Sequence, residues 1–257
     1  MIKKILQDAF QSLGFSIVKH PKKSKKTNKL SLYNTKTGKY YLPTDAHQDH
    51  IANTIKKDQI FDVEIYDIAK KYIKPGTIAL DVGSNFGQLA VLMSKMVGDN
   101  GAVHAYEADD FVFEILEKNI QLNSKNIIAH FGAVHENNTE TLYFPVQDFE
   151  RFGTYGSYGI DYSTNKGRPV KTIMVDDTEF ELPVSFIKVD VQGGDLLALK
   201  GARKTIEKYR MPIIFEYEWV FEQELNLCFQ DYVDFVSSIN YKFDRVINGQ
   251  NYLILPK

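Results

Sequence analysis

Asp81-Val82-Gly83-Ser84-Asn85-Phe86-Gly87 follows an apolar run at residues 77–80 and leads at once into an amphipathic helix predicted over 88–97. A strand that ends in Asp-x-Gly-x-x-x-Gly and turns directly into a helix reads as a nucleotide-cofactor loop. Its glycines let backbone approach ligand, and the helix N-terminus points free N–H groups at the loop. A second predicted strand, 102–106, ends in Glu107, where a carboxylate suits both hydroxyls of a ribose. A Gly-rich turn with no ligand is the plain alternative, and Asp81 and Glu107 together argue against it.

The glycine spacing separates two cofactor classes. A dinucleotide loop wants G-x-G-x-x-G, its second glycine clearing room for a pyrophosphate; here that position is Asn85. A loop without that clearance, with an acid at its start, suits a cofactor that has an amino-acid tail and no phosphates. S-adenosylmethionine is such a cofactor, and an NAD-type oxidoreductase is disfavoured.

Outward from this loop, strands and helices alternate, the signature of a parallel sheet wound by crossover helices. The predicted strands are 77–82, 102–107, 126–131, 185–190 and 212–218, and the helices are 61–74, 88–97, 110–122, 195–209 and 229–238. Asn248-Gly249 between two alternating runs signals a closing hairpin. Between the third and fourth strands lies an irregular stretch, 139–168, that contains Thr154-Tyr155-Gly156-Ser157-Tyr158-Gly159. The fold expected is α/β, a Rossmann-like class I methyltransferase sheet, mostly parallel with a C-terminal antiparallel hairpin. Residues 59–257 form the catalytic domain. Residues 1–58 form an extension, with an apolar helical stripe ended by Gly14, six lysines within 19–29, and a hairpin over 30–34 and 39–42.

Composition sets bounds. The chain has 257 residues and a formal net charge of −2, so no global field favours nucleic acid. One cysteine, Cys228, permits no intrachain disulfide, and no run is long enough to span a membrane. The residues after Lys3 and Lys4 lack the continuous apolar stretch of a signal peptide, so the expected setting is cytoplasmic. The N-terminal stripe is too short to be stable alone; it is expected to dock on its own domain or on a second copy, giving a homo-oligomer, in preference to a membrane surface reached through the lysines that follow.

Three stretches resemble the FkbM-type family of S-adenosylmethionine-dependent methyltransferases. They are Pro75-Gly76 with Ala79 to Gly87, His104-Ala105-Tyr106-Glu107-Ala108, and Phe186-Ile187-Lys188-Val189-Asp190-Val191-Gln192-Gly193-Gly194-Asp195 with Leu199-Lys200-Gly201-Ala202 behind it. The resemblance runs from about residue 41 to 255. Gln192 stands where the family pattern has Glu, and Asp195 where it usually has Glu. The resemblance implies O-methylation of a hydroxyl, often on a sugar in polysaccharide, glycolipid or macrolide pathways; no composition or spacing carries that.

Ligands in an open α/β sheet sit beyond the carboxyl ends of the strands. The expected cofactor residues are therefore Asp81, Gly83, Ser84, Asn85, Phe86, Gly87, Glu107, Ala108, Ala133 and Asp190. An alcohol acceptor must lose a proton, so a base or a metal is expected. Asp190, Lys188 and His135 are the catalytic candidates, with His47 and His50 as lesser ones. Asp190 reads equally as a cap or as a hydrogen-bond partner of the cofactor. Asp190 and Glu216 form a candidate site for Mg²⁺ or Mn²⁺. Tyr155, Ser157, Tyr158, Gln192 and Glu218 are candidates for holding a small-molecule or sugar acceptor. Gln192, an amide that takes no proton, keeps open a binding module without catalysis.

Overall fold

The computed structural model describes residues 29–44, 47–146 and 154–257. The N-terminal stripe and most of the lysine-rich stretch lie outside them. The hairpin β1 (Leu30–Asn34) and β2 (Lys39–Pro43) opens the described chain. A short helix α1 (His50–Lys56) follows, unforeseen from the sequence, and Asp49 caps it by accepting the Ala52 N–H at 2.6 Å. Then come α2 (Val63–Tyr72), β3 (Ile78–Val82), α3 (Gln88–Val97), β4 (Ala102–Glu107), α4 (Asp110–Asn123) and β5 (Ile127–Phe131). Each lies within about two residues of its predicted bounds.

The expected irregular stretch holds more order than its composition suggested. The strands β6 (Ala133–Val134), β7 (Thr141–Phe144) and β8 (Arg168–Ile173) make a small second sheet in the order β6-β8-β7. The fourth core strand is β9 (Val184–Val189). The single helix expected after it is two, α5 (Asp195–Lys200) and α6 (Arg203–Tyr209). The break falls at Gly201, where a Cβ would collide with the backbone carbonyl of His135. Asp176 restarts the helix by accepting the N–H groups of Lys204 and Thr205, each at 2.9 Å. The chain ends with β10 (Ile213–Glu216), α7 (Trp219–Glu222), α8 (Phe229–Ser238), β11 (Tyr241–Ile247) and β12 (Asn251–Pro256).

Among the described residues, seven strands form the main sheet in the order β11-β12-β10-β9-β3-β4-β5. β12 is antiparallel to both neighbours; β10, β9, β3, β4 and β5 run parallel. This is the expected class I methyltransferase sheet, with the hairpin's second strand inserted beside β10. Both β3 and β9 are buried along their whole length, as a parallel strand covered on two faces requires. The strand order reverses between them, and that switch point is where an open α/β sheet leaves a crevice. Among the described residues no helix is long and apolar enough to cross a membrane.

The N-terminal hairpin is fastened by two asparagines one turn apart on α4. Asn119 accepts the Tyr41 N–H at 2.6 Å and donates to the Tyr41 carbonyl at 3.2 Å. Asn123 makes the same pair of bonds to Lys39, at 2.8 and 2.6 Å. Asn119, fully buried, also donates to the Phe86 carbonyl at 2.9 Å, joining the hairpin to the loop after β3. Asn119→Leu leaves these backbone groups buried without partners. The expected cost is about 3 kcal/mol, read as a lower midpoint in urea unfolding with an unchanged slope. A loss below about 1 kcal/mol would show that water replaces the amide.

Candidate functional site

Lys188 is the charged centre of the crevice. It lies inside β9, opposite Asp81 on β3, and its side chain is nearly inaccessible. Its ammonium donates to the Gly83 carbonyl at 2.9 Å, pairs with Asp190 at 3.2 Å and stands 3.8 Å from Asp81. Burial alone would lower the Lys188 pKa, yet Asp190, Asp81 and Asp62 together raise it above the ordinary lysine value, so it stays charged. Burial acts to raise Asp190, but Lys188, with hydrogen bonds from Gln192 and Glu216, holds it below the usual carboxylate range. Asp81 is the converse: it is fully buried, its pKa is raised by desolvation, and neither carboxylate oxygen has a hydrogen-bond partner.

The loop after β3 is held in place from three sides. Gly83 is left-handed at φ 82°, and a Cβ there would collide with the Asp190 carbonyl. The glycine is thus needed for one strand end to approach another, not only for a ligand. Asn85 is also left-handed, at φ 49°, a conformation that Asn tolerates. Its N–H donates to Glu107 at 2.9 Å, and the other Glu107 oxygen accepts from Ala108 and Asp109, each at 2.9 Å. A carboxylate has about four acceptor sites, so these bonds leave Glu107 one, where the sequence reading expected it to grip two hydroxyls. Burial pushes Glu107 up to about 7, against the pull of those N–H groups.

These groups and the loops around them form a partly open cleft beyond the carboxyl ends of the central strands. Asp81, Gly83, Ser84, Asn85, Phe86, Glu107, Ala108, Ala133, Lys188 and Asp190 line it, as do Tyr155, Tyr158 and Gln192. Gly87, Ser157, Glu218, Glu216 and His135 are not on its wall. Ser157 sits in a single turn of 3₁₀ helix over Tyr155–Ser157. Glu218 accepts a hydrogen bond from Gln250 at 2.6 Å. His135 is buried directly after β6, with its carbonyl against Gly201. His47 and His50 are exposed around the start of α1.

Residues the sequence reading passed over complete the site. Phe61, Asp62, Phe144, Ile160 and Tyr162 line the cleft. Asp62 is pushed up to about 6 by burial and by Asp190. Gln88 at the start of α3 accepts the Phe61 N–H at 2.9 Å and donates to the Gln59 carbonyl at 2.9 Å, setting the segment that presents Asp62. Asp49, fully buried, accepts from the Thr154 hydroxyl at 3.0 Å and the Tyr155 N–H at 2.7 Å, anchoring the aromatic wall. Tyr155 in turn packs edge-on against Phe86 with ring centroids 5.9 Å apart.

At the cleft wall, Asp190 is linked to Glu216 by the Gln192 amide, which donates to them at 3.1 and 2.7 Å. Burial and the neighbouring Asp190 and Asp195 raise Glu216 far above its usual range, so it keeps its proton. A protonated Glu216 and an Asp190 already paired with an ammonium do not fit the expected Mg²⁺ or Mn²⁺ site, which needs free anionic oxygens. Among the described residues no group of three or more His, Cys, Asp or Glu is placed to hold a metal. The ion pair at Lys188 is the costly part of this arrangement. Lys188→Met strands two buried carboxylates and is expected to cost about 3–5 kcal/mol in denaturant unfolding. Adding Asp81→Asn should recover part of the loss, and no recovery would mean that the two groups are not coupled.

A family model described as Methyltransferase FkbM domain matches residues 81–243. A ubiquinone/menaquinone biosynthesis C-methyltransferase of Xanthomonas campestris pv. campestris is 31% identical over 101 residues, 39% of this chain and 38% of that protein. A protein-L-isoaspartate O-methyltransferase of Caenorhabditis elegans is 41% identical over 72 residues, 26% of this chain and 32% of that protein. The chain thus spans less than two fifths of the length of these curated relatives. Among solved structures, methyltransferase FkbM from Methylobacillus flagellatus KT aligns with a TM-score of 0.45 at 14% identity, covering 74% of this chain and 49% of that one. An O-methyltransferase from Bacillus cereus in complex with SAH aligns with a TM-score of 0.45 at 11% identity, covering 77% and 83%. With more than half of its length matched by the family model, this chain belongs to the FkbM family of methyltransferase domains.

Proposed function

We propose that this protein is an S-adenosylmethionine-dependent O-methyltransferase acting on a hydroxyl of a sugar or sugar-containing acceptor, such as a nucleotide-activated sugar or a surface-polysaccharide precursor. The observation that carries the cofactor reading is Asp81, a buried carboxylate at the end of the central strand whose oxygens make no hydrogen bond and whose ion-pair partner Lys188 stands as far off as 3.8 Å, facing the cleft beside a loop fixed by Glu107. A cationic amino-acid tail satisfies it. A pyrophosphate would instead meet Asp62, Asp81 and Asp190 across the same space, a like-charge contact that disfavours NAD. A cytoplasmic setting fits the single unpaired Cys228.

When bound, the cofactor supplies an electrophilic methyl carbon on a positively charged sulfur. Glu107 holds the ribose through its remaining acceptor site, and Asp81 receives the tail. Asp190, directly after β9, would accept a hydrogen bond from the acceptor hydroxyl and take its proton, and the bound cofactor would supply the methyl group. Lys188 and Gln192 each hold one Asp190 oxygen, which fixes the direction of that transfer. Most of the rate then comes from holding three atoms in line. Tyr158 and Tyr162, among the residues lining the cleft, are the aromatic groups against which sugar C–H groups would pack. Incubating the protein with labelled cofactor and a panel of nucleotide-activated sugars tests the acceptor class. Label recovered on none of them, with cofactor binding intact, would overturn the sugar assignment.

The proton role of Asp190 has a separate signature. Asp190→Asn is expected to lower kcat by about 10²–10³-fold, the range of a lost general base, while the cofactor Kd from calorimetry changes less than about threefold. A collapse of Kd instead would move Asp190 from the acceptor to the cofactor.

Glu107 ties cofactor binding to pH. Its value in the fold, about 7, lies above the ordinary glutamate range, so the free protein keeps it neutral below that pH. The stability this confers is present at low pH and is lost as pH rises from the ordinary range to about 7. A ribose hydroxyl donates best to the ionised form, so cofactor affinity should rise between pH 6 and 8 and then level off. Glu107→Gln should flatten that rise, and a profile unchanged in this variant would assign the titration to another group.

A further inference from the structure

Asp62 stands immediately before α2, where an aspartate ordinarily turns back to cap the first N–H groups of the helix. It does not do so here. Its backbone is left-handed, with φ 53° and ψ 51°, and its carboxylate makes no capping bond. The side chain lines the cleft and is coupled electrostatically to Asp190, Lys188 and Asp81. The placement is enforced from below, because Gln88 grips the backbone on both sides of Ile60. Asp81, which lines the same cleft, is fully buried and its oxygens make no hydrogen bond. Three carboxylates therefore converge on one ammonium, that of Lys188, which itself reaches Asp81 only at 3.8 Å. The surplus of acceptor oxygens and negative charge calls for a small cationic group that can donate several N–H bonds. A metal ion does not answer it, since Lys188 and the protonated Glu216 deny it a ligand set.

We propose that Asp62 is a cofactor-binding residue which, together with Asp81, receives the α-ammonium group of the cofactor's amino-acid tail. This inference rests on the S-adenosylmethionine reading above. It makes the segment before the sheet part of the binding site, so that ligand and Gln88 between them hold Asp62 in its left-handed conformation.

Calorimetry with three ligands tests it: S-adenosylmethionine, S-adenosylhomocysteine and 5′-methylthioadenosine, the last of which has the adenosyl group and no amino-acid tail. Asp62→Asn and Asp62→Gly both tolerate the left-handed backbone, so either variant folds without new strain. Each is expected to weaken the two tailed ligands about 10- to 100-fold, the range for a lost hydrogen bond between charged groups, and to leave methylthioadenosine within about twofold. Equal losses for all three ligands would make Asp62 a support of the loop and overturn the proposal. Unchanged affinities, or a fall in kcat alone, would overturn it as well and move Asp62 to the acceptor side. Wild-type protein that binds none of the three would instead overturn the cofactor reading on which the proposal stands.

Discussion

A single buried ammonium organises this protein. Lys188 sits where two central parallel strands end and the strand order reverses, and it touches the loop carbonyl of Gly83, the carboxylate of Asp190 and the field of Asp81. A lysine inside a covered strand is costly without partners. The partners it has are the groups that a cofactor and an acceptor would meet. The requirement that Lys188 be satisfied and the requirement that the site be aimed are therefore one constraint. The close approach of Gly83 to the Asp190 carbonyl belongs to the same constraint.

The surroundings divide by chemistry. The cleft is lined by three carboxylates, Asp62, Asp81 and Asp190, and by the aromatic residues Phe144, Tyr155, Tyr158 and Tyr162. Gln192 lines it too, and its amide nitrogen is shared between Asp190 and Glu216. A glutamate there would add a third carboxyl to a pair that already shares a proton. The amide removes that repulsion and leaves Asp190 as the anionic end of the group. The departure from the family pattern at Gln192 is thus compatible with a working base at Asp190.

Much of this was legible in the sequence, because the core strands and their helices are local, strongly patterned and punctuated by Pro75-Gly76, the loop glycines and Asn248-Gly249. What was not legible depends on distant contacts. The small sheet of β6, β7 and β8 pairs short strands across a polar stretch, and nothing in either strand's own composition marks the pairing. The break at Gly201 follows from the passage of His135, far away in sequence. Asp62 has the spacing of a helix cap, so its neighbours in the chain suggest the one role it does not play. Ser157, Glu218 and His135 were placed near the site by position along the chain, and side-chain direction, set by packing, took them elsewhere. Glu107 was recognised, but not the three N–H groups that already occupy it.

The two asparagines of α4 have a further consequence. Lys39 and Tyr41 present backbone N–H and C=O groups away from β1, and a free strand edge of that kind is a template on which another chain can add a strand. Asn123 and Asn119, spaced one helical turn apart, return to each residue the donor and acceptor that a neighbouring strand would supply. The helix thereby stands in for the missing strand. The hairpin is closed to strand addition along this side.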